Sequence, residues 1–280
     1  MSKHRHPYKK KASRKKHRKG PGRPQPKKEG SPRVQANSEE EGMRLNKYVA
    51  HCGVCSRRQA ADHVKNGSVE VNDQVVLEPY YQVQPGDVIK FKGKEIKPEV
   101  RKVYFLMNKP KDVITTTSDE RGRRTVMDLI RKRVTERVFP VGRLDRMTTG
   151  LLLLTNDGDL AQKLTHPSYK MKKIYHVTLD KPVVPEHIEA IRKGITLEDG
   201  PVPVDEVAYL QEGKNKKEVG ITIHIGRNRI VRRTFEHFGY EVVRLDRVYL
   251  GGLTKKDLPR GFVRPLRKQE VIMLKHFTGK

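Results

Sequence analysis

The sequence predicts an α+β protein in which a small αα-then-β module precedes a larger domain. That domain is expected to rest on a mixed, mostly antiparallel sheet flanked by helices. Three observations carry the expectation. Between Met43 and Phe91, two segments with apolar residues at helical spacing are followed by short valine- and isoleucine-rich runs. From Val103 to Leu250, runs of strand length interleave with helical ones, and hairpin-like neighbours dominate. Residues 151–154 are four leucines in a row, the pattern of a strand buried on both faces.

Residues 1–42 come first and differ from the rest. They are Lys, Arg, Pro, Gly and Ser with almost no large apolar residue, and they end in the acidic patch Glu39-Glu40-Glu41. Such a composition cannot bury enough surface to offset the entropy of ordering, so a disordered basic arm is expected. The whole chain of 280 residues carries +27. The arm accounts for +10 of this, and the remaining 238 residues hold +17. The folded part is therefore basic in its own right, which points to a polyanionic partner, nucleic acid first. No apolar run approaches the roughly 20 residues that span a bilayer. No basic amphipathic helix or signal-peptide core points to a membrane, and a cytoplasmic protein is expected.

The first module opens with Leu45, Tyr48, Val49 and Cys52, one apolar helical face, stopped by Gly53. Ser56 and Gln59 have capping-box spacing for a second helix through Ala60, Ala61 and Val64, with Gly67 as its stop. Strands are expected at Val69–Val71, Val75–Leu77 and Val88–Phe91, with a turn at Pro85-Gly86-Asp87 before the last. Arg57, Arg58, Lys47 and Lys65 lie on or near the helix pair. Cys52 and Cys55 lack further ligands at zinc spacing, so they read as small apolar residues.

Pro98 to Arg101 reads as a linker, giving a module over residues 43–100 and a larger domain over 101–280. There, Val103–Met107 is expected as a strand that Asn108-Lys109-Pro110 stops, and Thr125–Ile130 as a short helix. Val138–Val141 and Leu151–Thr155 follow as strands, and Asn156-Asp157-Gly158 as a turn. Asp159 is expected to cap a helix through Leu164. Strands at Ile174–Leu179, Val219–Ile225 and within Tyr240–Leu250 alternate with helices at Pro185–Lys193 and Ile230–Phe238.

The run Val141 to Gly158 reads VGRLDRMTTGLLLLTNDG and sets one carboxylate, Asp145, between Arg143 and Arg146. It lies in a loop feeding a buried strand, where a rigid scaffold can hold a reactive group. Gly142 and Gly150 permit close approach of a backbone or a substrate. From spacing alone, a structural salt bridge explains Asp145 as well as catalysis does.

Resemblance separates these. MRLNKYVAHCGVCSRRQAADHVKNGSVEVNDQVV, from Met43 to Val76, resembles the S-four RNA-binding domain. In that family the basic face of the helix pair meets structured RNA, which assigns Lys47, Arg57, Arg58 and Lys65 to RNA contact. The run G-R-L-D-x-x-T-T-G-L-L-L-L-T-N-D-G resembles the central motif of the Rsu-type ribosomal RNA pseudouridine synthases. Lys173-Ile174-Tyr175 is similar to their K-x-Y strand, and Ile225 to Glu236, IGRNRIVRRTFE, to their G-R-N-R-Q-V-R-R-M-F-E segment. The resemblance covers residues 43–274.

The resemblance implies an isomerase that turns a uridine of ribosomal RNA so that C5 replaces N1 at C1′, with no metal or organic cofactor. Asp145 is the implied catalytic residue, acting either by attack on C1′ or by assisting deprotonation there. Tyr175 would lie against the base and assist removal of the C5 proton. Arg232 would pair with Asp145, with Arg233 a rival for that role one position on. Arg123, Arg124, Arg143, Arg146, Lys170, Lys172, Lys173, Arg227, Arg229 and Arg233 are assigned to phosphate contact, which fixes register without reading sequence. His166 reads as structural. Ile230 and Thr234 depart from the family's Gln and Met, which puts in doubt any polar contact made from Ile230. Ribosomal RNA or a ribosomal assembly intermediate is the expected partner, large-subunit RNA is favoured, and a monomer is expected. The competing reading is a non-catalytic RNA-binding assembly protein; the complete set Asp145, Tyr175 and Arg232 argues for the enzyme.

Overall fold

A computed structural model describes residues 42–98, 101–131, 133–210 and 215–277. The expected basic arm, apart from Gly42, lies outside these residues. In the first module, β1 (Met43–Arg44) leads into α1 (Leu45–His51) and α2 (Arg57–Lys65), followed by β2 (Val69–Val71), β3 (Gln74–Val75), β4 (Gln82–Val83), β5 (Ile89–Phe91) and β6 (Lys94–Glu95). The capping box forms as its residues require: Ser56 Oγ accepts from Gln59 N–H, and the Gln59 side chain accepts from Ser56 N–H. Leu45, Val49, Ala60, Val64, Val69 and Ile89 close a core belonging to this module alone.

The larger domain runs β7 (Tyr104–Lys109), α3 (Val126–Ile130), β8 (Phe139–Pro140), β9 (Thr149–Thr155) and α4 (Gly158–Thr165), then β10 (Lys173–Leu179), α5 (Pro185–Lys193), β11 (Ile195–Leu197) and β12 (Gly200–Val202). It ends with β13 (Glu206–Tyr209), β14 (Glu218–Ile223), α6 (Ile230–Glu236), β15 (Val242–Leu250), β16 (Leu253–Thr254), β17 (Val263–Pro265) and α7 (Lys268–Lys275). The main sheet has the order β13-β14-β10-β15-β9-β7-β17. Its neighbours are antiparallel except β15 and β9, which pair in parallel. The expected α+β architecture with a mixed, mostly antiparallel sheet is thus the observed one.

The four leucines sit where their run places them. All seven residues of β9 are buried. Leu152 and Leu154 pack with Tyr175, Val177 and Phe235 on one face, and Leu151 and Leu153 pack with Leu164, Leu250 and Leu274 on the other. Gly150 is a close-approach position. Its φ is +106°, and a Cβ there would collide with the Arg247 backbone on β15.

Local expectations fail in instructive places. Asp157, not Asp159, caps α4, accepting from Leu160 N–H at 3.1 Å, because Gly158 already has helical geometry. Asp159 is freed for an ion pair with Lys47 of α1 at 2.8 Å. Asn108 and Lys109 do not stop the strand but continue β7 alongside β9. Ile225 leaves the sheet after Ile223, and the strand at 138–141 shortens to two residues.

Candidate active site

The loop between β8 and β9 carries Asp145, and its backbone is fastened from below. Lys109, the last residue of β7, is fully buried. Its ammonium donates to the carbonyls of Thr148 at 2.8 Å, Pro110 at 3.0 Å and Arg146 at 3.2 Å. Burial pushes the Lys109 amine down to about 8, opposed in part by the charge of Asp145. Thr115 holds the other side: its hydroxyl donates to Leu144 O at 2.9 Å and accepts from Leu144 N–H at 3.3 Å. Within the loop, Thr148 N–H donates to Asp145 O at 3.0 Å and closes a turn. The Asp145 backbone is therefore rigid. Its half-buried carboxylate has no hydrogen-bond or ion-pair partner among the described residues.

Asp145 lines a cavity of about 650 Å³. Tyr175, Lys173 and Arg247 line it too, as do Arg143, Arg227, Arg229 and the apolar Ile230. Tyr175 and Arg247 stand opposite each other on β10 and β15, and Lys173 lies two residues before Tyr175, so all three project to one face. Neighbouring strands thus bring an aromatic ring and two cations to the cavity that the acid-bearing loop also lines.

Several expected roles need revision. The Arg232–Asp145 ion pair is not formed. Arg232 is buried behind the cavity wall and donates to Val242 O at 2.6 Å, with its Nε buried and unpartnered. Asp145 still reaches it electrostatically, partly offsetting the depression that burial imposes on the guanidinium. Arg233 is turned away, bonded to Asp199 at 2.7 Å. Lys173 does not face solvent as a phosphate contact. Its amine donates to Met171 O and His224 O, both at 3.0 Å, and burial with the charge of Arg247 lowers it to about 8.

Other expected phosphate contacts are held by carboxylates of the chain itself. Arg123 is held by Asp119, Arg146 by Asp112, Arg227 by Asp199, Arg229 by Glu236 and Lys47 by Asp159. By contrast Arg57, Arg58, Lys65, Arg124, Arg143, Lys170 and Lys172 are exposed and have no ion-pair partner among the described residues. His166 keeps its structural role, its Nδ1 accepting from Ser168 N–H at the start of a short 3₁₀ turn. Cys52 and Cys55 are free thiols, with burial driving Cys52 up to about 12.

Comparison with known proteins fits this geometry. The RNA pseudouridylate synthase family model matches residues 103–237, and the S4 domain model matches residues 43–89. The ribosomal large subunit pseudouridine synthase B of Bacillus subtilis is 42% identical over 235 residues, covering 83% of this chain and 95% of the relative. The chain belongs to the RNA pseudouridine synthase family. The dual-specificity RNA pseudouridine synthase RluF of Escherichia coli is another relative, 37% identical over 84% of this chain and 79% of its own. A crystal structure of a pseudouridylate synthase superposes with a TM-score of 0.61 at 30% identity, covering 83% of this chain and all of that one. The synthase therefore has the S4-plus-catalytic architecture, an isomerase fold with an RNA-binding module at its N-terminal side.

Sequence reasoning missed Lys109, Thr115 and Arg247. Only Lys109 had a signal. It follows Tyr104–Met107, apolar at every position, and a strand continued through it must bury a lysine.

Proposed function

We propose that this synthase isomerises one uridine of ribosomal RNA, with large-subunit RNA favoured, acting as a cytoplasmic monomer on the RNA or on an assembly intermediate. The observation that carries the reading is the Asp145 carboxylate, without an ion-pair or hydrogen-bond partner among the described residues, on a fastened loop and lining a cavity that Tyr175 also lines. The names of the Bacillus subtilis relative and of the family model support the substrate class. The uridine must leave its stack to enter, at a cost of a few kcal/mol, least in a loop or bulge. The unpaired cations Arg57, Arg58, Lys65, Arg124, Arg143, Lys170 and Lys172 would hold the surrounding phosphates.

In the cavity the N1–C1′ bond breaks with its electron pair on the base. Asp145 acts at the electron-poor C1′ end. The base turns, C5 bonds to C1′, the C5 proton is lost with help from Tyr175, and N1 gains a proton. Atoms and charge balance without any external group.

The test is tritium release from ribosomal RNA labelled at uridine C5. Release by wild type and none by Asp145→Asn, with RNA binding equal in both, is expected. Background release from both on all ribosomal RNA and on precursor particles would leave the non-catalytic assembly role instead.

A further inference from the structure

Arg247 is the cation for which the loop chemistry gives no use. It is only 4% exposed, yet it lines the cavity. Its Nε donates to Leu151 O at 2.8 Å, while one terminal nitrogen, Nη2, is buried with no acceptor. A buried charged donor without a partner is costly, so each instance asks for a reason. Beside it lies Lys173, whose amine is committed to carbonyls.

Neither cation has a carboxylate within ion-pair distance among the described residues. Two acids of neighbouring strands and loops are engaged elsewhere. Asp205 pairs with His224 at 2.7 Å, and Asp246 is turned to Lys255, Arg260 and Thr149. The Lys173 amine is lowered first by burial and then by the charge of Arg247, which Asp205 offsets only in part. Lys109 and Arg232, by contrast, both feel the charge of Asp145.

Depth identifies what this wall is for. Phosphates stay with the backbone at the mouth of such a site, whereas the extruded base travels inward. Tyr175, the residue in register with Arg247, faces the same space. What arrives there without charge and becomes an anion during reaction is the base. When N1–C1′ breaks, the pair remains on uracil and its charge spreads over N1 and the two carbonyl oxygens. We propose that Arg247 is a catalytic residue that hydrogen-bonds the carbonyl edge of the detached uracil and stabilises it as an anion while it turns, with Lys173 as a positioning residue adding its charge. This rests on the isomerase reading above. It makes the wall a preorganised site for charge that exists only after bond cleavage.

The test uses the full chain in single-turnover reactions with saturating enzyme, on a ribosomal RNA transcript bearing the uridine that wild type isomerises. A second transcript carries 5-fluorouridine throughout. Fluorine acidifies the base, so cleavage depends less on outside stabilisation; loss of the N1-linked nucleoside is followed by chromatography. Arg247→Met is expected to slow uridine by about 10²–10³-fold at saturation, with RNA affinity changed by no more than about threefold. On 5-fluorouridine the defect should shrink by about tenfold or more, and Arg247→Lys should recover part of the rate on uridine.

A saturated rate within about threefold of wild type, a defect confined to RNA affinity, or an equal defect on both bases overturns the assignment. If Arg247→Met does not fold, the ratio of the Arg247→Lys defect on the two bases decides in the same way. Asp145→Asn runs alongside. Turnover by that variant breaks the parent reading, whereas its inactivity with an unaffected Arg247→Met breaks only this one.

Discussion

The two walls of the cavity are built alike and charged differently. Each rests on a lysine whose amine is lowered to about 8 and spent on backbone carbonyls, the fully buried Lys109 under the loop of Asp145 and the half-buried Lys173 on the strand of Tyr175. On the first wall the lysine's field meets a carboxylate; on the second it meets a second cation, Arg247. The lesson is that a buried lysine reports a fastening, and the neighbouring charge reports the chemistry. A three-donor ammonium can tie several carbonyls at one point, which no neutral side chain does as compactly.

Breaking the first wall at its acid gives the largest effect. Asp145→Asn should lower isomerisation by on the order of 10⁴-fold or more, with an unchanged melting temperature, checked by tritium release and calorimetry. Next comes its fastening. Lys109→Met removes the tie among Pro110, Arg146 and Thr148. It should lower the saturated rate by about 10²-fold through misplacement of Asp145. It should also cost about 1–3 kcal/mol by leaving carbonyls unpaired, read by urea unfolding.

The pH dependence of that loss sharpens the point. Lys109 falls from 10.5 to about 8 on folding, so between these values the unfolded chain binds more protons than the folded one. Stability linked to Lys109 therefore rises as pH goes from about 8 to about 10.5, and is lowest where the buried amine must stay charged. Wild type should gain stability relative to Lys109→Met between pH 7.5 and pH 9.5. A parallel pair of curves would sink the buried-charge account.

The seam between the walls is third. Gly150→Ala sets a methyl against the Arg247 backbone at a positive φ and should destabilise by about 2–4 kcal/mol, with a lower midpoint in urea. The smallest effect is expected at Arg146→Ala. That side chain is exposed and paired with an exposed Asp112, so its loss should move stability by less than about 1 kcal/mol. Its contrast with Lys109, which fastens the same loop, separates a surface pair from a buried tie.

Much of this molecule was legible before folding, and the exceptions share a cause. The capping box at Ser56, the doubly buried run in β9 and Asp145 itself are local patterns, and each sits where its own neighbours in sequence put it. Asp157 displaced Asp159 as a cap because both residues suit the role and only the helix start decides. Asn108-Lys109-Pro110 has the composition of a strand stop, yet Lys109 stays in β7. Its three carbonyl partners include Arg146 and Thr148, set by the return of β9 beside β7. Arg247 and Tyr175 meet only through strand register. Arg232 could be found by motif, but its Val242 partner depends on where α6 packs. Polar groups inside a core are positioned by distant chain, and a single sequence carries little trace of that.

The pairing of β9 has a consequence in time. Its partner on one edge, β7, lies close by in the chain, but its other partner, β15, is almost a hundred residues downstream, with Thr149 beside Asp246 and Gly150 beside Arg247. During synthesis, the Asp145 loop can acquire its Lys109 support early, whereas the wall of Tyr175 and Arg247 cannot close until the residues of β15 have left the ribosome. A nascent chain with its S4 module already folded would then hold RNA without altering it, and the ability to rewrite a base would arrive only with the completed sheet.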